Sequence, residues 1–205
     1  MRFFCYGLAG AVNLYWILLG DKLPVEAQMA VPVMAAAAAA AGVALRAREL
    51  SGPARARYVR RALWVLLGYY LAILSVLLFF GGLFHVTRGG GGAVNLKPFR
   101  TIRNFLRHYR RTGSLFSLSN LLGNLVLLLP FGVLMPVMFR PLRRFWTFLP
   151  LAAALAAGVE AAQWLTRTGV ADIDDSILNF AGAALGYFVT RLVQILLNCG
   201  KKRQI

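Results

Sequence analysis

Apolar segments of membrane length recur along this chain, and no other feature restricts its fold so severely. A helix rises about 1.5 Å per residue, so roughly 20 apolar residues cross a hydrocarbon layer about 30 Å thick. Several runs here approach or exceed that length. Composition agrees: of the 205 residues, 59% are hydrophobic and only 15% charged, and the mean hydropathy is +0.64. The expected fold class is all-α, a polytopic membrane helix bundle forming a single integral membrane domain over residues 1–205.

About six spans can be marked. They run from Phe4 to Leu19, Ala27 to Leu45, Ala62 to Phe84, Leu115 to Phe139, Trp146 to Leu165 and Ile177 to Leu197. The first follows Met1-Arg2 and resembles a signal peptide in charge and apolarity. It lacks a convincing polar cleavage region, so a retained span is expected. The second contains the alanine run 35–41, which lets neighbouring helices approach closely. Between spans two and three, Arg46 to Arg61 reads as a basic loop broken at Gly52-Pro53. In span four, Pro130 and Pro136 remove backbone donors, so a kink or break is expected there.

The segment from His85 to Ser114 divides into two parts. Gly89 to Gly92 reads as a linker, because the strand and the Gly-Lys-Ser/Thr of a phosphate loop are missing. After Pro98, residues Phe99, Ile102, Phe105, Leu106 and Tyr109 recur at helical spacing. Arg100, Arg103, Arg107 and Arg110 recur at the same period on another face. An amphipathic interfacial helix is expected between spans three and four, with these arginines binding lipid headgroups. A solvated basic connector is the plainer alternative.

The net charge of +16 would suggest nucleic acid in a soluble protein. Here the basic residues sit between apolar runs, where topology and anionic lipid explain them. The expected partner is therefore the bilayer and not nucleic acid. An N-in, C-in topology places Arg2, the 46–61 segment, Arg140, Arg143, Arg144 and the 201–203 tail on the inner side. The arginine-rich helix then faces outward, against the positive-inside tendency. Cys5 and Cys199 have no metal-ligand spacing, and His85 and His108 fit no zinc pattern. No cofactor and no metal site are assigned.

The chain has only 7 acidic residues against 23 basic ones, and four of the seven lie within Glu160–Gly186. Glu160, Gln163, Trp164 and Arg167 fall near one helical face at offsets of three, four and seven. Asn179, Gly182, Ala183 and Gly186 form a small-residue face on span six, and Asn120, Gly123, Asn124 and Leu127 repeat that spacing on span four. With the topology above, three helices bring polar side chains to one depth below the outer surface. A carboxylate inside such a segment faces a bundle interior or wet cavity. Asp172, Asp174 and Asp175 crowd the hairpin between spans five and six. Asp174 or Asp175 capping span six is one reading; ion pairs with Arg167 or the basic helix are another. An oxygen-only cluster that holds a divalent ion is a third.

Asn95-Leu96-Lys97-Pro98-Phe99, the Leu-rich run from Asn120 to Pro130-Phe131-Gly132 and Pro136, Glu160-Ala161-Ala162-Gln163, and Asp172-Ile173-Asp174-Asp175 to Asn179, Gly182 and Gly186 follow one another in a fixed order. That ordered set, from Val94 to Tyr187, resembles the VanZ-like family. The resemblance implies a family-like part at about 94–190 behind N-terminal spans in 1–84. It implies a bacterial cytoplasmic-membrane protein linked to tolerance of teicoplanin, a glycopeptide that binds lipid-linked cell-wall precursors. No established reaction comes with it. It points to Asn124, Glu160, Gln163, Arg167, Asp172, Asp174, Asp175 and Asn179, the region already reached from helix geometry.

The leading expectation is a non-enzymatic protein whose outer polar pocket and cationic helix engage a lipid-linked cell-wall precursor or a lipid-anchored glycopeptide. A membrane enzyme acting on a lipid-linked phosphate or sugar, with Glu160 as general base, is an alternative. A small transporter, suggested by the kinked fourth span, is another. Oligomeric state is left open.

Overall fold

The computed structural model describes residues 2–19, 25–79, 94–166 and 170–202. The glycine run 89–92, His85 and Arg167 lie outside them. The chain packs as two compact units, Met1–Thr87 and Arg88–Ile205.

The first unit holds α1 (Arg2–Leu19), α2 (Val25–Glu49) and α3 (Gly52–Phe79). Small residues let α1 and α2 close on one another: Ala9, Ala35 and Ala47 are buried. A methyl built at Gly42 would stand 2.7 Å from the Tyr6 ring. Polar side chains then fasten α3 to α1. The Tyr6 and Tyr58 hydroxyls share a hydrogen bond of 2.6 Å, and the Tyr69 hydroxyl donates to Asn13 Oδ1 at 2.6 Å. Such cross-helix bonds hold bundles together where lipid supplies no hydrophobic drive.

The expected basic loop at 46–61 is not a loop. Helix α2 runs on through Arg46 and Arg48 to Glu49, and α3 starts at Gly52. Only Leu50 and Ser51 connect them, with Gly52 turning the chain at φ +51°. Proline is accommodated in a first helical turn, where its missing N–H is not needed, so Pro53 starts α3 instead of breaking it.

The second unit opens with the two-residue strand β1 (Val94–Asn95), followed by α4 (Arg100–Thr112). Next come α5 (Leu115–Leu127) and α6 (Leu129–Met138), a 3-10 turn at Arg140–Arg143, and α7 (Phe145–Leu165). The two-residue strand β2 (Ala171–Asp172) and α8 (Ile173–Lys202) complete it. The expected break in span four is present: α5 and α6 meet at Leu128, two residues before Pro130. The strands pair in parallel, Val94 with Ala171 and Asn95 with Asp172. This pairing has no counterpart in the sequence periodicity, because two residues carry no alternation. Span six also starts earlier than its apolar run, at Ile173, because the acidic residues themselves form its first turn.

Among the described residues, four stretches are long and apolar enough to cross a membrane: Gly52–Leu78, Leu118–Met138, Phe145–Leu165 and Ile173–Leu196. Each of the six expected spans falls on helix over its described residues; residues 80–84 of the third lie outside them. Helices α1 and α2, the first two expected spans, run 18 and 25 residues. The chain is a helical membrane bundle.

Helix α8 forms the centre of the second unit. A methyl at Gly182 would overlap the carbonyl oxygen of Leu125, one at Gly186 that of Leu129, and one at Gly132 that of Ala183. The small-residue face thus allows backbone-to-backbone contact between α8 and the broken α5–α6 pair. Helix α7 covers another side of α8 with the stripe Phe148, Ala152, Ala156, Val159, Glu160 and Gln163, all buried. At its far end Phe148 stacks on Tyr187, with ring centres 4.5 Å apart. The Tyr187 hydroxyl donates to the Arg143 carbonyl at 2.8 Å.

Gly182→Ala is expected to lower stability by about 1–3 kcal/mol, the usual cost of overpacking. Gly158→Ala, a helical site with nothing within 4 Å of the added methyl, should be neutral or gain up to about 1 kcal/mol. Thermal unfolding in detergent micelles compares the two.

Candidate functional site

At the end of the second unit where α5 begins and α7 ends, a compact polar centre forms. Asn124, Glu160, Gln163, Asp172, Asp174 and Asn179 are all buried, and Asp174 and Asn179 completely so. Asp175 is half-buried. A buried carboxylate costs several kcal/mol unless hydrogen bonds replace its water. Here they do.

Asp174 accepts from three backbone amides of another element: Phe99 N at 2.5 Å, Thr101 N at 2.7 Å and Ile102 N at 3.1 Å. Those amides open α4, whose own N-terminal residue Phe99 contributes no side-chain cap. One of the two carboxylates that the sequence offered as a cap for span six instead caps the amphipathic helix. Phe99 adopts the left-handed conformation, φ 61°, which costs about 1–3 kcal/mol in a non-glycine residue. That conformation curls successive amides round one anion, as in other backbone nests.

The cap of α8 is Asp172, whose Oδ1 accepts the Asp174 amide at 2.9 Å. Its carboxylate also accepts from the Thr101 hydroxyl at 2.5 Å and from Asn95 Nδ2 at 3.1 Å. The role expected of Asp174 or Asp175 falls to Asp172, two or three residues earlier, because the helix begins earlier. Asn95 and Thr101 therefore belong to the centre, although sequence reasoning did not select them. Asn95 stood within a quoted motif, and Thr101 gave no signal, because a lone threonine in a basic helix looks like ordinary surface.

Glu160 Oε2 accepts the Asp172 amide at 3.2 Å, so α7 joins the strand pair. Asn124 Nδ2 donates to Asp175 Oδ1, so α5 joins α8. Three helices thus meet through polar groups, with the bonds running through Asp172 and Asp175 and not through Asn179. Trp164, expected on the same face as Glu160, is exposed, because its offset carries it past the narrow buried stripe. Arg167 lies outside the described residues. Asn179 is one helical turn along α8 from Asp175. Neither of its amide atoms has a hydrogen-bond partner.

Outside this centre the arrangement reverses. No residue of α4 is buried, and Arg100, Arg103, Arg107 and Arg110 are all exposed. Among the described residues, no set of three or more His, Cys, Asp and Glu side chains is placed to hold a metal ion.

A family model described as VanZ/LLP1 matches residues 64–194. The chain belongs to the VanZ-like family. The match begins within α3, earlier than the quoted motifs, and ends in α8. Every residue of the polar centre of this VanZ-like chain therefore lies inside it. A search of curated proteins and one of solved structures gave no match.

Asp174→Ala is expected to release α4 from the bundle at a cost of about 1–3 kcal/mol. Hydrogen exchange should speed up at the amides of residues 99–102 and leave α8 beyond Gly182 unchanged. Asn179→Leu removes an amide without partners, so it should raise the melting temperature.

Proposed function

We propose that this VanZ-like protein works without covalent chemistry, engaging a lipid-linked cell-wall precursor or a lipid-anchored glycopeptide at the α4 end of its second unit, and so affects tolerance to teicoplanin. The single observation that carries this reading is the Asp174 link. It fastens an exposed arginine helix to a buried polar centre built by three helices. An arginine fork suits phosphate, and a rigid centre behind it fixes where that fork stands.

In this reading the protein crosses the bacterial cytoplasmic membrane several times, with both termini in the cytoplasm and α4 on the outer side. The pocket residues are Asn124, Glu160, Gln163, Arg167, Asp172, Asp174, Asp175 and Asn179. A second reading, a small transporter, draws on the break at Leu128 beside α8, since interrupted helices build solute sites in transporters. Flux into proteoliposomes separates the two.

Expressed in a glycopeptide-sensitive bacterium, the wild type should reduce teicoplanin susceptibility by several dilution steps, with less effect on vancomycin. Glu160→Gln should lose most of the shift at equal expression. A well-expressed wild type without any shift overturns the reading. Orientation is checked separately: with Cys5 and Cys199 replaced by serine, Arg107→Cys should react with an impermeant maleimide added to intact cells stripped of their wall.

A further inference from the structure

The second unit separates its charges. Its four carboxylates are Glu160, Asp172, Asp174 and Asp175. The first three are buried, and Asp175 accepts from Asn124. Asp172 and Asp174 direct their oxygens to the backbone and the Thr101 hydroxyl of α4, not to its arginines. Among the described residues, none of Arg100, Arg103, Arg107, Arg110 and Arg111 forms an ion pair, and all are exposed.

Helix stability does not account for this row. Arg110 and Arg111 sit in the last turn, where the macrodipole favours cations, but Arg100 and Arg103 sit in the first turn, where it disfavours them. Arg100, Arg103, Arg107 and Arg110 recur at offsets of three, seven and ten, a stripe roughly 15 Å long. Beside it, Leu96, Phe99, Leu106, Tyr109 and Leu115 are exposed apolar side chains. An exposed cationic stripe without ion pairs, next to apolar side chains on a helix with no buried residue, complements an anionic headgroup layer above acyl chains.

We infer that α4 is a docking surface for anionic phospholipid headgroups, one that selects phosphatidylglycerol-type over zwitterionic lipid. The inference rests on α4 lying at a membrane surface, as in the proposed function, and does not require a role in glycopeptide tolerance. The Asp174 cap fills the amide nest at the start of α4, so the lipid phosphate meets guanidinium groups and not the helix N-terminus.

The test uses the full-length protein purified in detergent–lipid micelles. Native mass spectrometry compares retention of phosphatidylglycerol, phosphatidylcholine and a polyprenyl diphosphate. Wild type should retain phosphatidylglycerol over phosphatidylcholine, less so at high salt. Arg103→Gln/Arg107→Gln/Arg110→Gln should lose that preference by roughly fivefold per arginine. Arg140→Gln/Arg144→Gln, at the opposite end of the unit, should keep it. The single variant Arg107→Gln gives the same reading on a smaller scale should the triple variant not fold. Equal retention of the two phospholipids, a preference that survives in the triple variant, one that is lost only on changing Arg140 and Arg144, or one confined to the polyprenyl diphosphate would each overturn the inference. Lipid selection without any change in teicoplanin susceptibility would sustain it and remove the functional reading alone.

Discussion

The carboxylate of Asp174 supports two elements from one position. It lies in the first turn of α8, where a negative charge favours that helix, and it closes the first turn of α4 by accepting three of its amides. Charge-assisted bonds of this kind exceed neutral ones roughly twofold. They offset the burial of the acid and the left-handed backbone at Phe99. Without the acid, α4 would keep a set of orphan amides and no buried side chain to hold it against the bundle.

That arrangement depends on backbone contact deeper in the unit. Gly182, Gly186 and Gly132 allow α8 to touch the carbonyls of α5 and α6, which brings Asn124 within bonding reach of Asp175. On the other side, alanines at positions 152 and 156 keep α7 close, so that Glu160 reaches the Asp172 amide. The aromatic stack of Phe148 on Tyr187 secures the opposite end. Close packing at one end and aromatic bulk at the other fix the height at which the polar groups meet.

Helix existence was legible in the sequence because hydropathy and periodicity are local signals. The helical faces of Asn124, Glu160 and Asn179 were legible for the same reason: a polar residue at helical spacing among small ones marks an interior. What bonds to what was not. Asp174 caps a helix more than seventy positions earlier, and the strand pair joins residues equally distant. No spacing rule reaches across such a gap. The misread basic loop at 46–61 shows the converse limit: charge suggested a loop, yet arginine is a good helix former and nothing local ended α2 before Glu49.

Three departures from local rules in the second unit lie toward the same end. Phe99 holds a backbone conformation that its side chain disfavours. Asn179 keeps a buried amide without partners, at a cost of about 1–3 kcal/mol. Helix α4 carries arginines in a first turn whose dipole repels them. Packing would remove each fault with one substitution: glycine at 99, leucine at 179, a neutral residue at 100 or 103. Departures from self-consistency concentrate where a protein meets something other than itself. The opposite end carries an aromatic stack, a Tyr187 hydroxyl paired to a carbonyl, and prolines inside α6 and α7 at Pro136 and Pro150. These three departures share one end of the unit with the Asp174 cap, and two of them, Phe99 and α4, are held there by it.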